Sequence, residues 1–166
     1  SKNIGFFTAY DDPIQKNFGR EPSLEDIIEA TIEKLKNFDK PFFILVEGSQ
    51  IDWAEHDNDQ EYLLSEMLEF DKAVDVSYKY AIENKNTLVI VTADHETGGA
   101  AIVSGDLDKQ IVKINYSSDE HTSEMVPVFS IGPYSEKFKG VYDNTEIFNK
   151  LFEIVKEWKD SFFQYY

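Results

Sequence analysis

The chain has 166 residues, with 42% apolar and 14% aromatic side chains, which is enough for a packed interior and argues against a disordered segment. Its 32 Asp plus Glu against 16 Lys plus Arg give a formal charge of -16, which disfavours nucleic acid and anionic membranes as partners; no apolar run approaches a membrane span. Zero cysteines exclude disulfides, thiolate metal sites and cysteine nucleophiles, so any metal must be held by nitrogen and oxygen.

Residues 4–9 read as a short buried strand, followed by a polar loop through Arg20. Ser23 can cap a helix, with Asp26 at the capping-box position and Leu24, Ile27, Ile28, Thr31, Ile32 and Leu35 on one face. Pro41 leads into 42–46, a continuous apolar run that suits a strand covered on both faces. A second amphipathic helix is expected from about residue 60 to 84, with Leu63, Met67, Phe70, Val74, Tyr78 and Ala81 as its stripe. Residues 87–92 form another apolar strand, and two strand-helix-strand units in a row imply parallel strands. Residues 100–103 and 110–116 are expected to form a hairpin through Ser104-Gly105-Asp106. A further strand covers 125–131, and a last helix over 145–158 is expected to bury Ile147, Phe148, Leu151, Phe152 and Val155. No repeat or linker interrupts this pattern. Residues 1–166 therefore read as a single α/β unit with a mostly parallel sheet and a short antiparallel hairpin.

All three histidines stand close to carboxylates: His56 follows Asp52 by four residues, His95 follows Asp94, and His121 follows Asp119 and Glu120. In open parallel sheets, sites form beyond the carboxyl ends of strands. Glu47, Asp52 and His56 lie beyond 42–46, and Asp94 and His95 lie beyond 87–92, which gives them a physical reason to meet. Asp52 and His56 can reach one cation from the same side of a helical turn, although the same spacing suits a surface ion pair. Asp94 and His95 end a buried strand, where ionisable groups are costly unless used. His121, in a loop of serines and acids, reads by itself as an exposed histidine. Glu47 suits a hard ion such as magnesium, or the N-terminus of the next helix.

Weaker signals stay open as well. Thr97-Gly98-Gly99 fits a phosphate-binding nest or a simple turn. Trp53 fits the mouth of a substrate site or a staple for its helix. Asp160-Ser161 reads as part of an aromatic tail rather than as a nucleophile. Zinc held by two or three protein ligands keeps a position for water or substrate, and a metal pair can clamp both oxygens of a phosphoryl transfer.

Together, Val46-Glu47-Gly48-Ser49-Gln50-Ile51-Asp52 with His56, then Val91-Thr92-Ala93-Asp94-His95-Glu96-Thr97-Gly98-Gly99, then Glu120-His121-Thr122, closely resemble the C-terminal half of the alkaline phosphatases. Residues 4–9, Glu21-Pro22-Ser23-Leu24 and residues 127–133 are similar to that family too, so the likeness covers nearly the whole chain. It implies a partial αβα sandwich, with Asp52, His56 and His121 on one zinc, Asp94 and His95 helping to bind a second, and Glu47 contributing to a magnesium site. It also implies hydrolysis of phosphate monoesters through a serine nucleophile and a phosphoserine, in a periplasmic or secreted protein.

The family's serine in an Asp-Ser-Ala or Asp-Ser-Gly setting, its first aspartate, the threonine of its magnesium site and its phosphate-binding arginine have no counterpart here. Arg20, the sole arginine, matches none of those roles. Trp53 stands where other members often carry lysine or histidine near the phosphate. The chain is thus expected to be a truncated C-terminal portion with reduced metal occupancy and negligible activity alone. An unpaired sheet edge would favour self-association or a homodimer. Two other readings remain: a phosphomutase or phosphodiesterase of the same superfamily, and a non-catalytic metal-binding or interaction domain.

Overall fold

The computed structural model describes residues 12–38 and 40–163, with side chains of the last helix to residue 157. The strand expected over residues 4–9 and the side chains of Asp160-Ser161 lie outside the described residues. The chain gathers into two compact units: one runs through Ser77 and includes His95–Glu124, the other holds Tyr78–Asp94 and the chain from Met125 onward.

In the first unit, α1 (Leu24–Leu35) starts at a complete capping box. The Ser23 hydroxyl accepts from the Asp26 N–H, and the Asp26 carboxylate accepts from the Ser23 N–H at 3.1 Å. Such a cap stabilises a helix by about 1 kcal/mol. The apolar stripe of α1 buries Ile28 and Ile32. After it, α2 (Gln50–His56) is short and α3 (Gln60–Glu83) is long, with the Asp59 carboxylate accepting from the Glu61 and Tyr62 N–H groups at 3.0 Å each. Ala54, Tyr62 and Leu63 form a buried cluster against which Ile51, Ile114 and Tyr116 pack.

The buried stripe of α3 differs from its apolar pattern. Met67 and Tyr78 are exposed, while Glu66 and Glu69 are 5% and 4% exposed. Two buried carboxylates are tolerable only if paired. Arg20 supplies that pairing, donating to Glu66 Oε1 at 3.1 Å, to Glu66 Oε2 at 2.5 Å and to Glu69 Oε2. Lys16 adds its backbone N–H to Glu66 at 2.8 Å and its ammonium to Glu69 at 3.0 Å. Burial pushes the Glu69 carboxyl up, but the hydrogen bonds from Arg20 and Lys16 outweigh it and hold the group below the usual carboxylate range. The sole arginine is therefore a structural clamp.

The expected parallel sheet is not what the described residues form. Their strands pair antiparallel in three two-stranded ladders: β1 (Val89–Thr92) with β6 (Val128–Ile131), β2 (Glu96–Thr97) with β5 (His121–Thr122), and β3 (Ala101–Asp106) with β4 (Ile111–Asn115). Residues 42–46, expected as a strand, join no ladder among the described residues. Phe43 is 71% and Leu45 84% exposed, since an apolar run becomes a strand only where a neighbour takes its N–H and C=O groups. The β3–β4 hairpin forms as expected, but β3 runs on through Ser104-Gly105-Asp106. Its turn is Leu107 to Gln110, where the Gln110 N–H reaches the Leu107 carbonyl at 3.2 Å and the Asp106 carboxylate takes the Lys109 N–H.

In the second unit, β1 and β6 pair in full register from Val89↔Ile131 to Thr92↔Val128. Helix α4 (Glu146–Phe163) buries less than its pattern implies. Ile147, Leu151 and Ile154 are half-buried, whereas Phe148, Phe152 and Val155 are exposed and the two phenylalanine rings stack on each other at 5.9 Å.

Candidate metal centre

Helix α2 is placed by its inner face. A Cβ on Gly48 would lie 2.8 Å from the Phe70 ring, so glycine lets the chain turn closely over α3. Gln50, 4% exposed, donates its amide to the Pro13 carbonyl at 2.6 Å and accepts from the Tyr62 hydroxyl at 2.8 Å. Burial keeps the Tyr62 phenol protonated, pushed up to about 12 with Glu66 adding to the effect. With Ala54 fully buried and Ile51 packed beside it, Asp52 and His56 share the partly open side of α2.

His121 arrives through the short β2–β5 ladder, which pairs Thr97 with His121 and Glu96 with Thr122. Beyond β2 the chain turns at Gly98, φ +80, where a Cβ would sit 3.1 Å from the Glu55 carbonyl oxygen. The Gly98 N–H bonds to the Glu120 carbonyl at 3.0 Å. The Glu96 carboxylate accepts from the Gly99 and Ala100 N–H groups at 3.2 and 3.0 Å and from the Thr122 hydroxyl. Thr97 thus ends β2, and Gly98-Gly99 is a turn whose two N–H groups the chain satisfies itself rather than offering them to a phosphate.

These elements bring Asp52, His56 and His121 together. His56 Nε2 lies 3.4 Å and His121 Nε2 3.6 Å from Asp52 Oδ1, and the two nitrogens are 3.2 Å apart. Tetrahedral zinc with bonds of about 2.0–2.1 Å needs neighbouring donor atoms about 3.3 Å apart. The three separations match that spacing. His56 Nδ1 sits 2.6 Å from the Asp119 carbonyl oxygen, which only accepts, so the ring donates there and a neutral ring turns the Nε2 lone pair inward. The donor set is one carboxylate and two imidazoles, chemistry that suits zinc.

The Asp119 carbonyl hydrogen bond raises His56 above the ordinary imidazole value; burial opposes this and the Asp52, Glu120 and Asp119 carboxylates reinforce it. Glu55, on the inner side of α2, is pushed up to about 7, first by burial and then by the Glu96 and Asp52 charges, with His56 partly offsetting them. A cation among the donors would relieve the same accumulation of negative charge.

The other candidates fall differently. His95 stacks on His121 with ring centroids 3.6 Å apart, and its Nδ1 lies 3.2 Å from the Thr97 hydroxyl. That hydroxyl is also 2.5 Å from Asp52 Oδ1. Glu47 is exposed just before Gly48, outside the three-residue cluster. Asp94 belongs to the second unit, where its carbonyl accepts from Asn144 at 3.2 Å. Trp53 is partly exposed on α2 between Asp52 and Ala54. Thr97 and the Asp119 carbonyl had no signal of their own: one is a common residue in a turn motif, the other backbone.

A family model described as alkaline phosphatase matches residues 4–107 and 100–157. Alkaline phosphatase 4 of Bacillus subtilis is 31% identical, over 84% of this chain and 45% of its own length. Alkaline phosphatase 3 of Bacillus subtilis is 30% identical, over 94% of this chain and 49% of its own. The solved structure of alkaline phosphatase from the Antarctic bacterium TAB5 overlays with a TM-score of 0.79 at 38% identity, over 86% of this chain and 44% of that one. A mutant of the TAB5 protein is described with Mg bound in the M3 site.

Proposed function

The chain belongs to the alkaline phosphatase family and has its α/β fold, and from that premise we propose that it is the metal-binding C-terminal portion of a phosphate monoesterase. It spans about half the length of the curated relatives it matches, 45% and 49% of two of them, so hydrolysis is assigned to the intact protein. Asp52, His56 and His121 would hold one zinc, Asp94 and His95 would contribute to a second, and Glu47 to a magnesium site. The observation that carries this reading is the convergence of Asp52 Oδ1, His56 Nε2 and His121 Nε2 at 3.2 to 3.6 Å.

Bound zinc supplies Lewis acidity, polarising a phosphoryl oxygen and lowering the pKa of an attacking hydroxyl. The residues present set up that role. One carboxylate and two neutral imidazoles leave a dication with a net positive charge, which attracts a phosphate monoester to a chain of formal charge -16. Three protein donors leave a fourth position for substrate or water. The His121 side chain is half exposed, so the three-residue cluster is open to solvent.

The family's serine nucleophile and phosphate-binding arginine have no counterpart in this sequence, so the 166-residue chain alone has negligible phosphatase activity in this account. The exposed Phe43 and Leu45, on a segment without a strand partner among the described residues, make self-association of the isolated chain part of the proposal. Export to the periplasm or outside the cell is proposed from membership alone. Among the described residues no helix is long and apolar enough to cross a membrane.

The test is a zinc titration against a chromophoric chelator, run beside a p-nitrophenyl phosphate assay. Wild-type chain binds zinc and Asp52→Asn loses at least about tenfold in affinity, with no turnover in either. Equal zinc affinity in both proteins would remove Asp52 from the site. Hydrolysis at the rate of a full-length relative would refute the assignment of this chain as the portion without the nucleophile.

A further inference from the structure

Thr97 is 1% exposed and, among the described residues, is the largest side chain that is fully buried. Most side-chain hydrogen bonds run to backbone or water. Thr97 instead has two side-chain neighbours, and both are candidate ligands: its Oγ1 lies 2.5 Å from Asp52 Oδ1 and 3.2 Å from His95 Nδ1. Its backbone, in turn, is paired with His121.

A hydroxyl has one proton and two lone pairs. An ionised carboxylate only accepts, and the Asp52 contact is the shorter, so the Thr97 proton goes to Asp52 Oδ1. Toward His95 only a lone pair remains, and Nδ1 can meet a lone pair only by carrying a hydrogen. The proton of a neutral His95 ring therefore sits on Nδ1, and Nε2 is the nitrogen that carries the lone pair. On the Asp52 side, one lone pair of Oδ1 takes the threonine proton and another remains for the cluster with His56 and His121.

We propose that Thr97 is a positioning residue that acts on two ligands at once: it aims the Asp52 carboxylate and fixes His95 as the Nδ1–H tautomer, presenting Nε2 to a metal. The tautomer claim stands on the hydrogen-bond geometry alone, while the claim about metal rests on the function proposed above. Burial makes the arrangement obligatory, since no solvent is available to replace either partner. The hydroxyl is the working part of the side chain, which separates Thr97 from a residue that merely fills space.

Three 166-residue chains test this: wild type, Thr97→Ser, which keeps the hydroxyl, and Thr97→Val, which keeps the shape. Long-range nitrogen–proton NMR of the zinc-free chains at alkaline pH reads the tautomer of His95, and chelator competition reads zinc affinity. Wild type and Thr97→Ser show His95 protonated on Nδ1. Thr97→Val shifts the ring toward the Nε2–H form and weakens zinc binding by about 10- to 100-fold, the range expected for removal of a ligand's supporting partner. A wild-type His95 protonated on Nε2 overturns the proposal without any variant, as does a Thr97→Ser loss equal to that of Thr97→Val. If wild type shows the Nδ1–H tautomer yet binds no zinc, the metal reading falls and the tautomer assignment stands.

Discussion

Two clusters of charged groups in the first unit face opposite situations. Around Glu66 and Glu69 the chain brings its own cations: Arg20 and Lys16 occupy the carboxylate oxygens, and both acids are almost wholly buried. Around Asp52 the chain brings a carboxylate and two imidazole nitrogens to within 3.6 Å of one another, and among the described residues no lysine or arginine is paired with them. The first cluster is compensated in place and holds the loop before α1 to α3. In the second, electron-pair donors converge without a cation from the described residues. The contrast separates structural charge from charge arranged for a ligand, although both consist of acids on or beside helices.

The comparison breaks most sharply at Arg20. Arg20→Ala leaves Glu66 and Glu69 buried without their main partner, and breaking a buried pair in this way costs about 3–5 kcal/mol. Urea unfolding of the zinc-free chain should show a loss of that size. A change below about 1 kcal/mol would mean that the clamp is ornamental. The same clamp carries an acid dependence. Glu69 titrates below its unfolded value, so the stability it supplies is fully present above the ordinary glutamate range and is lost as pH falls through the lower native value. Glu69→Gln should flatten that acid limb of a melting curve, and an unchanged limb would contradict the assignment.

His56→Ala should do the reverse of Arg20→Ala. Its side chain is partly exposed, so zinc-free stability changes little. Zinc affinity falls by about 100-fold or more, since a ligand is lost outright. Unfolding and metal titration of the same two variants place each cluster in its class. If both variants lose stability equally and zinc affinity not at all, the distinction fails.

How much of this was legible in the sequence follows from the range of the interactions. The Asp52–His56 pair is set by one helical turn, so spacing alone brought the two side chains within reach of each other. The capping box at Ser23 and the extent of α3 are equally local and matched expectation. His121 was not legible from spacing, because a ladder of two residues brings it to His56 across 65 positions and leaves no periodicity to read. The buried face of α3 misled for a related reason: a hydrophobic stripe places glutamates outward, and distant partners, Arg20 at 46 positions from Glu66 and Lys16 at 50, make their burial tolerable. Residues 42–46 show the opposite failure. Their composition was that of a buried strand, but strand formation depends on a neighbour that the run itself does not encode.

The most direct test is a crystal of the chain grown with zinc and measured on both sides of the zinc absorption edge. An anomalous peak is expected, bonded to Asp52 Oδ1, His56 Nε2 and His121 Nε2 at about 2.0–2.1 Å. A zinc ion held elsewhere, with those three atoms making no metal bond, would contradict it.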